Sequence, residues 1–191
     1  MISISPGVVL VTLLFASAAW TSPTQNQPSA TVKQGIVIGT ATSIPSSTVT
    51  VNKFLGIPFA SPPERFAPPV PPKQWKKPLD VFKNKPACIQ EFGGPEDIRE
   101  LFQLFANTPP PEAGESEDCL YVNVWAPASP PPKGGRTVMF WIYGGNLQFG
   151  SNSYPYYDGT TLAAHQNVII VAPNYRTNGE PPPKLCKYID F

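Results

Sequence analysis

Three features predict an α/β protein. The runs TVMFWIYGG (137–145) and NVIIVAPNY (167–175) are almost continuously apolar, the pattern of strands covered on both faces. Between them, DGTTLAAHQ (158–166) fits a short helix opening after Asp158-Gly159. Upstream, the β-branched runs GIVIGT (35–40) and TVTVNKF (48–54) flank ATSIPSS and predict a hairpin. An antiparallel hairpin followed by strand, helix and strand is the order expected of an α/β core.

The remaining elements follow the same logic. LYVNVWAP (120–127) sets Tyr121, Asn123 and Trp125 on one face of a strand and Val122 and Val124 on the other. PEDIRELFQLFA (95–106) predicts a helix, with proline and two acids where the first turn favours them. Ile98, Leu101, Phe102 and Phe105 form one narrow apolar stripe along it. That stripe suits an ordinary surface helix packed on the core. It also suits a tethered amphipathic lid, since the helix lies between Cys88 and Cys119.

Composition bounds the function. The chain of 191 residues is long enough for one domain with a core, and its 41% apolar and 14% charged content fits a globular protein. A net charge of +1 gives no attraction to nucleic acid or to an anionic membrane surface. Neither a cofactor nor a metal site is expected. The 26 prolines cluster in short runs such as SPPERFAPPVPP and GEPPP, which read as extended connections. Val8–Phe15 is apolar and precedes Ala16-Ser17-Ala18, so residues 1–18 read as a cleaved export signal, too short for a permanent membrane anchor. Residues 19–34 then read as a flexible segment. In an exported chain, three cysteines imply one disulfide and one remaining thiol, and the arithmetic leaves three pairings open.

Gly114-Glu115-Ser116 begins like a serine-hydrolase nucleophile elbow, G-x-S-x-G. Asp118 stands where the second glycine is needed, and the complete motif occurs nowhere in the sequence.

In this order, FLGIPFA, PPERFAPPVPPKQW, PACIQ, SEDCLYVNVWAP, VMFWIYGGNLQFGS, YDGTTLAA and VIIVAPNYR resemble the N-terminal third of a type-B carboxylesterase. That family includes fungal-type lipases and cholinesterases. The resemblance covers residues 35–176 and is most specific over Glu117–Val124. It implies a partial α/β-hydrolase fold that stops before the nucleophile elbow, and a carboxylic ester as substrate of the intact, secreted enzyme. It also implies a Cys88–Cys119 disulfide, an Arg65–Glu117 ion pair, and a partial oxyanion hole at Gly144, Gly145 and Asn146 whose donors are the Gly145 and Asn146 amides. Asn146 replaces the family's commoner third glycine. Ser116 then belongs to the disulfide segment and is no nucleophile, and His165 is a solvated helix histidine. The catalytic serine and histidine are absent, so the chain reads as an inactive N-terminal fragment. Residues 177–191 read as a non-family, proline-rich tail of a truncated product. A non-catalytic cholinesterase-like binding module and a non-functional fragment are the alternatives.

Overall fold

β-branched and aromatic residues build most of the sheet structure in the computed structural model of the protein, which describes residues 27–91, 96–105 and 110–177. Among the described residues the strands are β1 (Ser29–Val32), β2 (Gly35–Ile38), β3 (Thr40–Ser43), β4 (Thr50–Pro58), β5 (Leu79–Asp80), β6 (Tyr121–Pro127), β7 (Val138–Phe140) and β8 (Ile169–Pro173). Two α-helices accompany them, α1 (Glu96–Phe105) and α2 (Thr160–Gln166). Residues 1–18, read as an export signal, and Cys186 lie outside the described residues, as do all of residues 177–191, read as a tail, except Thr177.

The principal sheet has the order β3-β4-β6-β8-β7, antiparallel throughout except for the parallel pair β7/β8. That parallel pair requires a crossover, which α2 supplies, so β7-α2-β8 is the α/β unit that the two apolar runs predict. A smaller sheet, β1-β2-β5, continues from the first through Leu55 N–H donating to the Val81 carbonyl (2.8 Å).

Burial follows the strand period. Val51, Leu55, Trp125, Ile170 and Ala172 form a buried sheet face, which Ala163 and Ala164 of α2 cover. Small residues allow α2 to lie close: a Cβ on Gly159 would stand 2.9 Å from both Ile170 and Trp125. The α2 N-terminus is fixed by Asp158, whose carboxylate accepts from Thr160 N–H (2.8 Å) and from Lys53 Nζ of β4 (2.8 Å). On the other side of β4, Phe54 packs with Val37 and Val81 between the two sheets.

The structure departs from the sequence reading at four places. Residues 41–43 continue β3 instead of forming the hairpin loop, and it is β3 that pairs with β4. The run at 35–38 pairs instead with Ser29–Val32, so part of the segment read as flexible is strand β1. The run 137–145 yields only three strand residues, at the sheet's edge. Val138, Met139, Trp141 and Ile142 are exposed there, and no strand among the described residues pairs along the outer side of β7. Among the described residues, the edge on this side of the sheet therefore belongs to β7; β8, later in the chain, is interior. Apolar runs register that a strand is built for burial but not which strand stands next to it. Finally, α1 forms as expected, but Leu101 and Phe105 are exposed while Gln103 is buried. The packing expected of an ordinary surface helix is thus not made by these two stripe residues. The side chains of Ile98 and Phe102 lie outside the described set.

Burial raises the Asp158 carboxyl pKa, but hydrogen bonds from Lys53 and Thr160 outweigh this and hold it below the usual carboxylate value. A depressed folded-state pKa gives stability that is present above the unfolded value, about 3.9, and is lost as pH falls through the folded value. Asp158→Asn should therefore lower the urea midpoint at pH 7, with the gap to wild type closing as the pH is taken below about 4. A gap independent of pH between those limits would contradict this role for Asp158.

Candidate active-site turn

The chain leaves β7 through Trp141, whose N–H still donates to the Val171 carbonyl (2.8 Å), and then turns sharply at Tyr143-Gly144-Gly145-Asn146. Gly145 has φ of +139°, and a Cβ there would lie 1.9 Å from the Phe149 carbonyl oxygen, so only glycine fits. Gly144 has no such constraint: nothing lies within 4 Å of where its Cβ would be. Asn146 (φ +53°) and Leu147 (φ +59°) are both left-handed, and asparagine is among the non-glycine residues that tolerate this conformation best. The Gly145 carbonyl closes the turn by accepting from Gln148 N–H (2.9 Å) and Phe149 N–H (3.2 Å). The Gly145 and Asn146 N–H groups make no hydrogen bond to any described residue. The turn thus exposes a short backbone stretch, Gly145–Asn146, whose donors are unspent among the described residues.

Beneath it the structure is aromatic and tightly bonded. Tyr143 is fully buried and stacks on Tyr175, with ring centroids 4.4 Å apart. The Tyr175 hydroxyl donates to the Tyr143 carbonyl (2.8 Å), and Tyr175 N–H donates back to the Tyr143 hydroxyl (3.2 Å). Burial raises the Tyr143 pKa far above the usual phenol value and that of Tyr154 to about 12. Both remain protonated near neutral pH. They act as hydrogen-bond donors and cannot serve there as bases.

The disulfide joins Cys88 to Cys119, with Cα atoms 4.9 Å apart. Both cysteines are buried against Ala60 and Leu120. Ser116 lies in the same region. Its N–H donates to the Ala87 carbonyl (2.9 Å), and its hydroxyl accepts from Asp118 N–H (3.0 Å), so it shapes a turn. Arg65 Nε lies 3.4 Å from Glu117 Oε1, with both side chains substantially exposed. An exposed pair of this kind contributes less than about 1 kcal/mol. On α2, exposed His165 contacts Ser46 Oγ through Nε2 (3.2 Å), with no carboxylate bonded to its ring among the described residues.

The sequence reading missed the side chains that tie these parts together. Gln90, Asn123, Asn152 and Asn174 are buried and polar, and each bonds to backbone from a distant part of the chain. Neither strand nor helix period marks such residues. The one available signal is an amide side chain inside otherwise apolar sequence, as at Asn123 in LYVNVW.

Comparison with known proteins places these features in context. Residues 26–179 match the sequence profile described as the Carboxylesterase family, a span that takes in β1. The chain is 39% identical over 172 residues to a liver carboxylesterase of Sus scrofa, covering 88% of this chain and 30% of the relative. It is 40% identical over 161 residues to an acetylcholinesterase of Electrophorus electricus (81% and 24%) and 45% identical over 129 residues to a fumonisin B1 esterase of Sphingopyxis macrogoltabida (66% and 21%). The chain thus spans less than a third of the length of these relatives.

The two glycines should respond differently to substitution. Gly145→Ala forces a Cβ into the Phe149 carbonyl at a positive φ and should cost at least about 2 kcal/mol in urea unfolding. Gly144→Ala enters open space and should change stability by less than about 0.5 kcal/mol. Equal effects would refute this account of the turn.

Proposed function

Because the chain belongs to the carboxylesterase family, we propose that it is the N-terminal section of a secreted serine-type carboxylic-ester hydrolase. In this reading the Tyr143–Asn146 turn supplies part of the oxyanion hole. Ester hydrolysis by an activated serine passes through a tetrahedral intermediate whose carbonyl oxygen carries negative charge. Backbone N–H groups already held in place stabilise that charge without reorganising. The observation that carries the proposal is the pair of unspent Gly145 and Asn146 amides, on a turn whose left-handed backbone is fixed from below.

The nucleophile, its histidine base and the orienting acid are assigned to sequence outside these 191 residues. Ser116 is spent on a turn, and His165 has no acid partner among the described residues. This segment alone is therefore inactive, and its role is to form one wall of the site. The exposed apolar stretch Val138–Ile142 is consistent with that division, as the edge along which the remainder of the domain docks. Alone, that edge favours association with other chains. Export is supported by the N-terminal apolar run with its Ala16-Ser17-Ala18 site and by the disulfide, which persists in oxidising compartments. No helix among the described residues is long and apolar enough to cross a membrane.

The isolated 191-residue chain should hydrolyse p-nitrophenyl esters no faster than its Ser116→Ala variant. Labelling of Ser116 by a fluorophosphonate, with turnover lost in the alanine variant, would overturn the proposal.

A further inference from the structure

The exposed turn is short, and its shape is held from both ends by two buried amide side chains. Gln90, two residues after Cys88, is 5% exposed. Its Oε1 accepts from Gly150 N–H (3.0 Å), at the far end of the turn, and from the Tyr154 hydroxyl (3.2 Å). Next to it, Glu91 N–H donates to the Gln148 carbonyl (3.0 Å). At the near end, Asn174 uses both halves of its amide. Oδ1 accepts from Asn152 N–H (2.9 Å) and from the Tyr143 hydroxyl (3.4 Å). Nδ2 donates to the Pro86 carbonyl (3.1 Å) and the Cys119 carbonyl (3.1 Å).

We infer that Gln90 and Asn174 are positioning residues that clamp the Gly144–Gly150 turn to the Cys88–Cys119 loop, so that the disulfide region sets where the Gly145 and Asn146 amides stand. For its catalytic consequence this inference rests on the oxyanion reading above. Both residues act through other groups, and neither reaches the exposed donors directly. Gly150 and Tyr143 are the handles. A Cβ on Gly150 would lie 2.3 Å from the Tyr143 ring, so the two ends of the turn are packed together.

Gln90 allows a clean separation of positioning from packing. Its Nε2 is buried without a partner among the described residues, so Gln90→Leu removes an unsatisfied donor while also removing the acceptor for Gly150 N–H and for the Tyr154 hydroxyl. Leaving a backbone N–H unpaired costs more than replacing matched groups, so the loss should appear locally at the turn. Amide exchange, read on the oxidised chain at low micromolar concentration, should be about 10-fold faster at Gly150 and at the hydrogen-bonded Gln148 and Phe149 amides in Gln90→Leu. Exchange in β4, β6 and β8 should stay at the wild-type rate. Asn174→Asp keeps the acceptor but loses the donor to the Pro86 and Cys119 carbonyls, and should loosen the same stretch by several-fold. This second variant decides the matter if Gln90→Leu does not accumulate as folded chain. Gln148, Phe149 and Gly150 amides exchanging at the wild-type rate in both Gln90→Leu and Asn174→Asp, or acceleration spread evenly over the sheet, would overturn the inference. The readout is independent of ester chemistry, so its failure leaves the oxyanion reading standing, and the converse also holds.

Discussion

A chain of buried amides is the constraint on which the rest of this structure depends. Asn123 Oδ1 accepts from Gly56 N–H (2.8 Å), where β4 bulges and Gly56 has a φ of +83°. Asn123 Nδ2 donates to Asn84 Oδ1 (2.9 Å) and the Asn152 carbonyl (3.2 Å). Asn152 Nδ2 in turn donates to the Tyr121 carbonyl (3.1 Å) and the Ala172 carbonyl (2.9 Å), and Asn152 N–H to Asn174. Three asparagines thus connect the β4 bulge, β6, β8, the disulfide loop and the segment after the glycine turn. Each buried polar group left unpaired would cost about 1–3 kcal/mol, so the network is favourable only when every segment is in place. That requirement makes it a device for specifying one arrangement.

The disulfide and the network have complementary roles. In the chain-entropy model a bridge closing a loop of this size stabilises by roughly 3–4 kcal/mol, mainly by limiting the unfolded chain. It does not by itself orient Pro86 or Cys119. Asn174 does, by donating to the carbonyls of both. Aromatic stacking of Tyr143 on Tyr175 then fixes the strand end from which the turn departs. The polar contacts set direction, and the covalent bond and the rings reduce the freedom that direction must overcome.

Much of this was legible in the sequence. The β7-α2-β8 unit follows from two apolar runs and a short polar-faced helix between them, because period and length carry that information. The glycine turn and the partners of the disulfide were legible only through resemblance to the carboxylesterases, since cysteine spacing leaves the pairing open. What remained hidden has a common physical cause. The edge position of β7, the pairing of Ser29–Val32 with Gly35–Ile38 and the exposure of Leu101 and Phe105 all depend on what lies alongside in space. The amide network was hidden for the same reason: Gln90 and Asn174 are 84 positions apart (174 − 90), and neither has a local pattern that names its partners.

In the proposed function, the Gly145 and Asn146 amides are held ready for a charged oxygen. The most direct measurement is a crystal structure of this segment joined to the remaining sequence of the Sus scrofa liver carboxylesterase and trapped with a phosphonate ester. The account predicts the phosphonyl oxygen about 2.7–3.1 Å from both the Gly145 and Asn146 nitrogens, on a turn with Asn146 still left-handed. A phosphonyl oxygen bound elsewhere, with those two amides turned to solvent, would contradict it.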